Sequence, residues 1–216
     1  MKHILLLLMI SCFTLISCTD QEQKMKNKAP EIPLINLDEL TVEELFELDS
    51  HEEAELVFGE ENVVTDTGEL PEDLGTYLFT KVYPDSEKEI ILRWLDDTLN
   101  LSGLESVNIQ QKESPWKNKC KLKVGMKMSE LEKLNEKPFE FYGLAWDHGG
   151  LTFWEGGELD GTGYTVYLDW PEDFYVTDDH YPIMGEKRIS STDSLALTID
   201  PEVKEIFWVK LMEKKK

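Results

Sequence analysis

Tyr164-Thr165-Val166-Tyr167-Leu168-Asp169-Trp170 alternates strictly between two sets of side chains. Tyr164, Val166, Leu168 and Trp170 fall on one side of an extended chain, and Thr165, Tyr167 and Asp169 fall on the other. Period two predicts a strand with one buried face. Working outward, β-branched and aromatic runs predict further strands at Phe139–Trp146, Leu151–Glu155 and Glu205–Leu211. Upstream, the same reading predicts strands at Val63–Thr65, Thr76–Tyr83, Glu89–Leu95 and Ser106–Gln110, with Ile90, Leu92 and Trp94 on one face. Gly68, Pro71, Gly75, Pro84 and Asp85 are turn residues between them, so the strands read as an antiparallel meander.

Short helices precede each run of strands. Thr41-Val42-Glu43-Glu44, Ser50-His51-Glu52-Glu53 and Ser129-Glu130-Leu131-Glu132 fit the capping box, in which a hydroxyl and a carboxylate satisfy free amides of a first turn. Val42, Leu45 and Phe46 form one apolar stripe. Ala54, Val57 and Phe58 form a second, ended by Gly59, and Met128, Leu131 and Leu134 form a third, closed by Pro138. The expected fold class is α+β, with two units, each of a short helix or helices followed by an antiparallel β-meander, at residues 37–112 and 113–216. Few residues align between the halves, so the repeat is one of pattern.

At the other end, Lys2 precedes an apolar run from Ile4 to Ile16 that stops at Leu15-Ile16-Ser17-Cys18 and a polar stretch. The run is too short to span a membrane and has the form of a cleaved leader, residues 1–17. It resembles a bacterial lipoprotein signal, which implies a diacylglycerol thioether on Cys18 and usually a further acyl chain on its amine. Two or more chains hold a protein stably at a membrane. Residues 18–36, with Pro30, Pro33 and three lysines, have the composition of a flexible tether.

Loss of Lys2 with the leader takes the formal charge from −22 to −23. Acidity of this size argues against nucleic acid and against adhesion to anionic lipid surfaces, permits a basic partner, and also serves solubility. The charge is uneven. Lys112 to Lys137 holds eight lysines against four glutamates, the one basic island, able to dock on acidic parts of the same chain or on a partner. Without Cys12 and with Cys18 lipidated, Cys120 is the remaining thiol and no intrachain disulfide forms. Its lysine neighbours would lower its pKa if it were exposed, yet no nearby motif supplies a catalytic partner.

Trp146-Asp147-His148-Gly149-Gly150, with Trp154 and Gly156-Gly157 beyond, is the densest candidate site. Trp146, Asp147, His148 and Trp154 could hold a sugar or a peptide, and the glycines would admit a ligand to the backbone. The same residues are also ordinary hairpin chemistry, with tryptophans filling a core. Strand alternation sends Trp94 and Trp170 inward, leaving Trp116, Trp146 and Trp208 as surface candidates.

Other chemistry is weakly supported. Asp160-Gly161-Thr162-Gly163 and Asp178-Asp179-His180 offer oxygens but lack the spacing of a calcium loop. His51, His148 and His180 have no zinc-motif spacing, and no nucleophile elbow or phosphate loop occurs. Ser190-Ser191-Thr192-Asp193-Ser194 reads as a polar connection. No cofactor, metal site or catalytic residue is expected.

Val124-Gly125-Met126-Lys127-Met128-Ser129-Glu130-Leu131, Asn135, Pro138-Phe139 and Trp146-Asp147-His148-Gly149-Gly150 resemble a family of uncharacterised bacterial lipoproteins. So do Phe58-Gly59-Glu60-Glu61-Asn62-Val63 and Tyr83-Pro84 through Trp94. That resemblance implies an address and an architecture without an assigned activity. The helix-then-meander order is more distantly similar to the β-lactamase-inhibitor-protein-like fold, whose members mainly bind other proteins. The expectation is a non-enzymatic envelope lipoprotein, with the outer membrane favoured, that binds or assembles another envelope protein. A carbohydrate-binding accessory lipoprotein is the alternative, and a hydrolase centred on His148 or a carboxylate the poorer one.

Overall fold

The computed structural model of the chain describes residues 35–70, 74–98 and 100–210. The leader, Cys18 and the tether as far as residue 34 lie outside the described residues. A 3-10 helix at Val42–Glu47 leads into α1 (His51–Phe58), followed by β1 (Val63–Glu69), β2 (Thr76–Val82), β3 (Ile90–Asp96) and β4 (Ser102–Ile109). A lysine-rich loop then leads to α2 (Met128–Asn135), β5 (Glu140–Tyr142), β6 (Thr152–Phe153) and β7 (Tyr164–Asp169). A 3-10 helix at Asp178–Ile183, β8 (Arg188–Ser190), α3 (Ser194–Ile199) and β9 (Glu202–Val209) follow. The class is α+β, and helix precedes antiparallel strands in both halves.

The boundary expected between residues 112 and 113 does not separate two bodies. One six-stranded antiparallel sheet runs β1-β2-β3-β4-β9-β7, so the last strand among the described residues is inserted between β4 and β7. The described residues accordingly fall in one compact unit. The physical reason is the free edge of β4, whose amides and carbonyls need a ladder partner that its own half does not supply. A smaller sheet, β6-β5-β8, stands beside β7, to which Thr152 ties it: its hydroxyl donates to Val166 O and accepts from Val166 N.

One face of the large sheet carries Ile90, Leu92, Trp94, Val107, Ile109, Val166, Leu168 and Ile206, all buried in a single core with Leu45, Phe58, Leu131 and Phe141. The helix starts differ from the expected capping boxes at two of three places. Ser50 does cap α1, its hydroxyl accepting from Glu53 N at 3.2 Å, and Gly59 ends that helix at φ +89. Thr41 makes no side-chain cap, and the Glu44 carboxylate accepts from Asn36 N instead. Helix α2 begins two residues early, capped at Lys127, whose N donates to Glu130, and Ser129 binds the Asp200 carboxylate with both its amide and its hydroxyl.

Tyr164 clamps the first 3-10 helix to β7. Its hydroxyl donates to Glu43 Oε1 at 2.8 Å and its ring stacks on Trp208 at 5.3 Å between centroids. Burial and the Glu43 carboxylate push its pKa far above the ordinary tyrosine value, while burial also raises Tyr83 and Tyr167. A folded-state pKa above the unfolded value of about 10 gives stability that is present below pH 10 and drains away as pH rises beyond it. Thermal melts at pH 8, 10 and 11 should therefore show wild type losing stability faster than Tyr164→Phe. At neutral pH that variant should be weaker by about 1–2 kcal/mol, for the lost charge-assisted hydrogen bond. Parallel curves would mean that the Tyr164–Glu43 bond contributes nothing.

Candidate functional site

Trp146, Asp147 and His148 form the tip of the β5–β6 hairpin, and all three side chains are exposed. The turn is closed by Gly149 N to Trp146 O at 2.8 Å and Leu151 N to His148 O at 3.2 Å, with Ala145 and His148 at positive φ. Hairpin chemistry and a presented triplet thus coexist. Trp146 is 61% exposed, whereas Trp154 is 7% exposed and packs edge-on against Phe139 at 5.2 Å. Its indole N–H donates to Tyr164 O at 2.7 Å, so Trp154 is a core residue and leaves the candidate site.

Of the two glycines behind the triplet, Gly149 lines the clefts beside the tip and Gly150 is taken up by packing. Gly150, at φ +80, is approached by the backbone of Leu168, and its carbonyl accepts from Leu168 N at 2.9 Å. The space beside Gly150 is filled by β7.

Two clefts flank the hairpin tip. One of about 260 Å³ lies between Trp146, His148 and Gly185, with Tyr142 and Glu186 at its edge. The other, about 430 Å³, runs from Trp146, Asp147 and His148 to Tyr167, Asp169, Lys204 and Glu205 on the large sheet. A bulge makes that junction. Tyr167 pairs with Glu205 and Leu168 with Val203, so Lys204 is left over and its ammonium reaches Asp169 at 3.0 Å.

Beyond Glu205 lies the second face of the six-stranded sheet, which sequence reasoning did not single out. Register places Tyr77 and Phe79 of β2, Ile91 and Arg93 of β3, Asn108 of β4, Phe207 of β9 and Tyr167 of β7 on this face. Arg93 lies over the Tyr77 ring at 4.5 Å and the Phe207 ring at 6.0 Å, and donates to the Tyr77 hydroxyl at 2.7 Å. Lys81 pairs with Asp66 at 2.6 Å, which lowers the carboxyl pKa and raises that of the ammonium. A cleft of about 330 Å³ sits among Tyr77, Phe79, Arg93, Asn108 and Gln110.

Glu205 joins the two regions, accepting from Asn108 Nδ2 and, at 2.6 Å, from Gln110 Nε2. Asn108 is 2% exposed, and its Oδ1 and Arg93 Nε are buried without a partner among the described residues. Unpaired buried groups of this kind cost about 1–3 kcal/mol each. The resulting surface runs from the Tyr77–Arg93 cluster through Glu205 and Tyr167 to Trp146. It is aromatic and polar, with both signs of charge.

The other sequence candidates are accounted for by packing. Trp116 is 5% exposed and donates to Lys88 O at 2.8 Å, Trp208 is half-buried against Tyr164 and Phe46, and Trp170 is half-buried in a stack with Phe174. Of the three tryptophans expected at the surface, Trp146 alone is exposed. Cys120 is half-buried, and burial raises its thiol pKa despite the flanking lysines, with a Thr162 hydrogen bond pulling the other way. Ser191 is fully buried, accepting from Phe139 N and donating to Glu132. Its segment is no mere connection: Asp193 caps α3, its carboxylate accepting from Leu195 N and Ala196 N. His180 accepts from Thr177 N at 2.8 Å and packs on Phe174, and His51 bonds Thr80. Among the described residues no group of three or more His, Cys, Asp or Glu is placed to hold a metal, and no helix is long and apolar enough to cross a membrane.

No protein-family model matches the chain, and no curated protein does. Among solved structures, the uncharacterized protein YfeY from Escherichia coli is similar at 11% identity and a TM-score of 0.35, over 68% of this chain and 79% of that one.

Proposed function

We propose that this is a non-catalytic binding module of the bacterial envelope, tethered by lipid on Cys18, that takes a partner protein on the open face of its six-stranded sheet. The observation that carries the reading is the continuity of that face with the hairpin tip through Glu205. A surface with aromatic and arginine anchors at its centre and charges of both signs around it has the anatomy of a protein interface.

A photo-crosslinking residue placed at Phe79, Phe207 or Trp146 of the full chain, in its native cells, should capture one and the same envelope protein. A probe at Leu56, on α1 and 52% exposed, should not. Arg93→Ala and Phe207→Ala should each weaken that complex tenfold or more, as loss of a central anchor does. Capture that is equal from Leu56, or unchanged by Arg93→Ala, would overturn the reading. Stabilisation by oligosaccharides that disappears in Trp146→Ala would instead favour the carbohydrate-binding alternative, which rests on the exposure of Trp146 beside Asp147. Loss of membrane association in Cys18→Ser tests the tether.

A further inference from the structure

The basic island builds a cavity of its own, away from the open face. Its volume is about 440 Å³, within the range of small-ligand sites, and its floor is apolar: Trp116, Leu122, Val124 and Ile206. The indole N–H of Trp116 is already satisfied by Lys88 O, which leaves the ring carbons to the cavity. Lys117, Lys121 and Lys123 line it and are exposed, and Lys112 stands beside them, paired with Glu172 at 3.1 Å. The loop carrying these lysines is held in shape. Asn118 Oδ1 accepts from Leu122 N at 2.9 Å while its amide donates to Leu122 O at 2.8 Å, and Lys119 N donates to Glu43.

A chain of formal charge −22 that gathers lysines around one apolar cavity concentrates its positive field there. An apolar floor with cations at the mouth complements one chemistry, a molecule with an apolar body and an anionic head. We infer that this cavity binds a small anionic amphiphile, with its carboxylate or phosphate among Lys117, Lys121 and Lys123 and its apolar body against Trp116 and Leu122. The inference is independent of the partner face.

Titration calorimetry of the full chain with octanoate and octyl phosphate, below their micelle-forming concentrations, tests it. Both should bind saturably and octylamine should not. The preferred head, carboxylate or phosphate, tells a fatty-acid-type ligand from a phospholipid-type one. Lys117→Gln/Lys121→Gln/Lys123→Gln should weaken binding at least tenfold with an unchanged melting temperature, because all three side chains are exposed. Val124→Trp, which fills the cavity and keeps the lysines, should abolish it. Octylamine binding as tightly as octanoate, or affinity unchanged in both variants, would overturn the inference. Binding of pentaglutamate in place of octanoate would overturn it in favour of an acidic protein segment.

Discussion

Gly150→Ala should lower the melting temperature by roughly 10 °C, since about 3–5 kcal/mol is lost and each kcal/mol shifts a domain of this size by about 2–4 °C. The cause is geometric. An added Cβ would stand 1.8 Å from Leu168 O, a backbone atom of β7 that cannot step aside without breaking the Leu168 N to Gly150 O bond. Gly150 N is committed as well, to Tyr142 O at 2.8 Å, so the whole hairpin would have to lift from the sheet edge. Gly161 provides the control. It has a similar positive φ, +71, but nothing within 4 Å of its Cβ position, so Gly161→Ala should cost only the backbone strain, about 1 kcal/mol. Equal melting temperatures for the two variants would remove the close approach from the account. Trp146→Ala, on the same hairpin but solvent-facing, should leave the melting temperature nearly unchanged, which separates the scaffold of the tip from what it presents.

The strand that opens onto this contact was the most legible part of the chain. In β7, Tyr164, Val166 and Leu168 are buried and their neighbours are not, as period two requires. Trp154 was misread for a related reason: it shares a face with Thr152 while Leu151 and Phe153 are also apolar, so alternation alone could not say which side was buried. Trp116 lies in a loop, where no periodicity exists, and only the Lys88 carbonyl reveals why it is inside. Asp193 ahead of Leu195, Ala196 and Ile199 was a readable capping signal for α3, hidden by the serines around it.

The open face was invisible for a deeper reason. Periodicity tells which side chains leave the core, but whether another layer covers them depends on how distant segments pack. The insertion of β9 beside β4 is of the same kind: Val203, Ile206 and Trp208 advertise a strand without naming its neighbour. Side chains 97 residues apart, such as the hydrogen-bonded Asn108 and Glu205 at the junction of the candidate surface, come together only through that insertion.

Asn135 is expected to be the most costly polar side chain to remove. It sits at the end of α2, on the face of Met128 and Leu131, and is fully buried. A polar residue at that spacing on an apolar face was the readable sign of a special role. Its amide donates to Lys137 O and Trp154 O, both at 3.0 Å, and its carbonyl oxygen accepts from Leu159 N at 3.1 Å. One side chain thus closes the turn after α2 and anchors the loop that follows β6. Asn135→Ala leaves these backbone groups without partners in a buried site, which should cost about 3–5 kcal/mol, read as the shift in a urea midpoint. Asn135→Asp nearly keeps the volume but sets a carboxylate against two carbonyl oxygens, so it should be at least as damaging at neutral pH. An aspartate variant as stable as wild type would show that shape, rather than the two donated hydrogen bonds, is what the site demands. Because Trp154 O is one of the two acceptors, the same lesion should loosen the core beneath the hairpin. Acrylamide quenching of Trp154 in a variant lacking the other tryptophans would detect that directly.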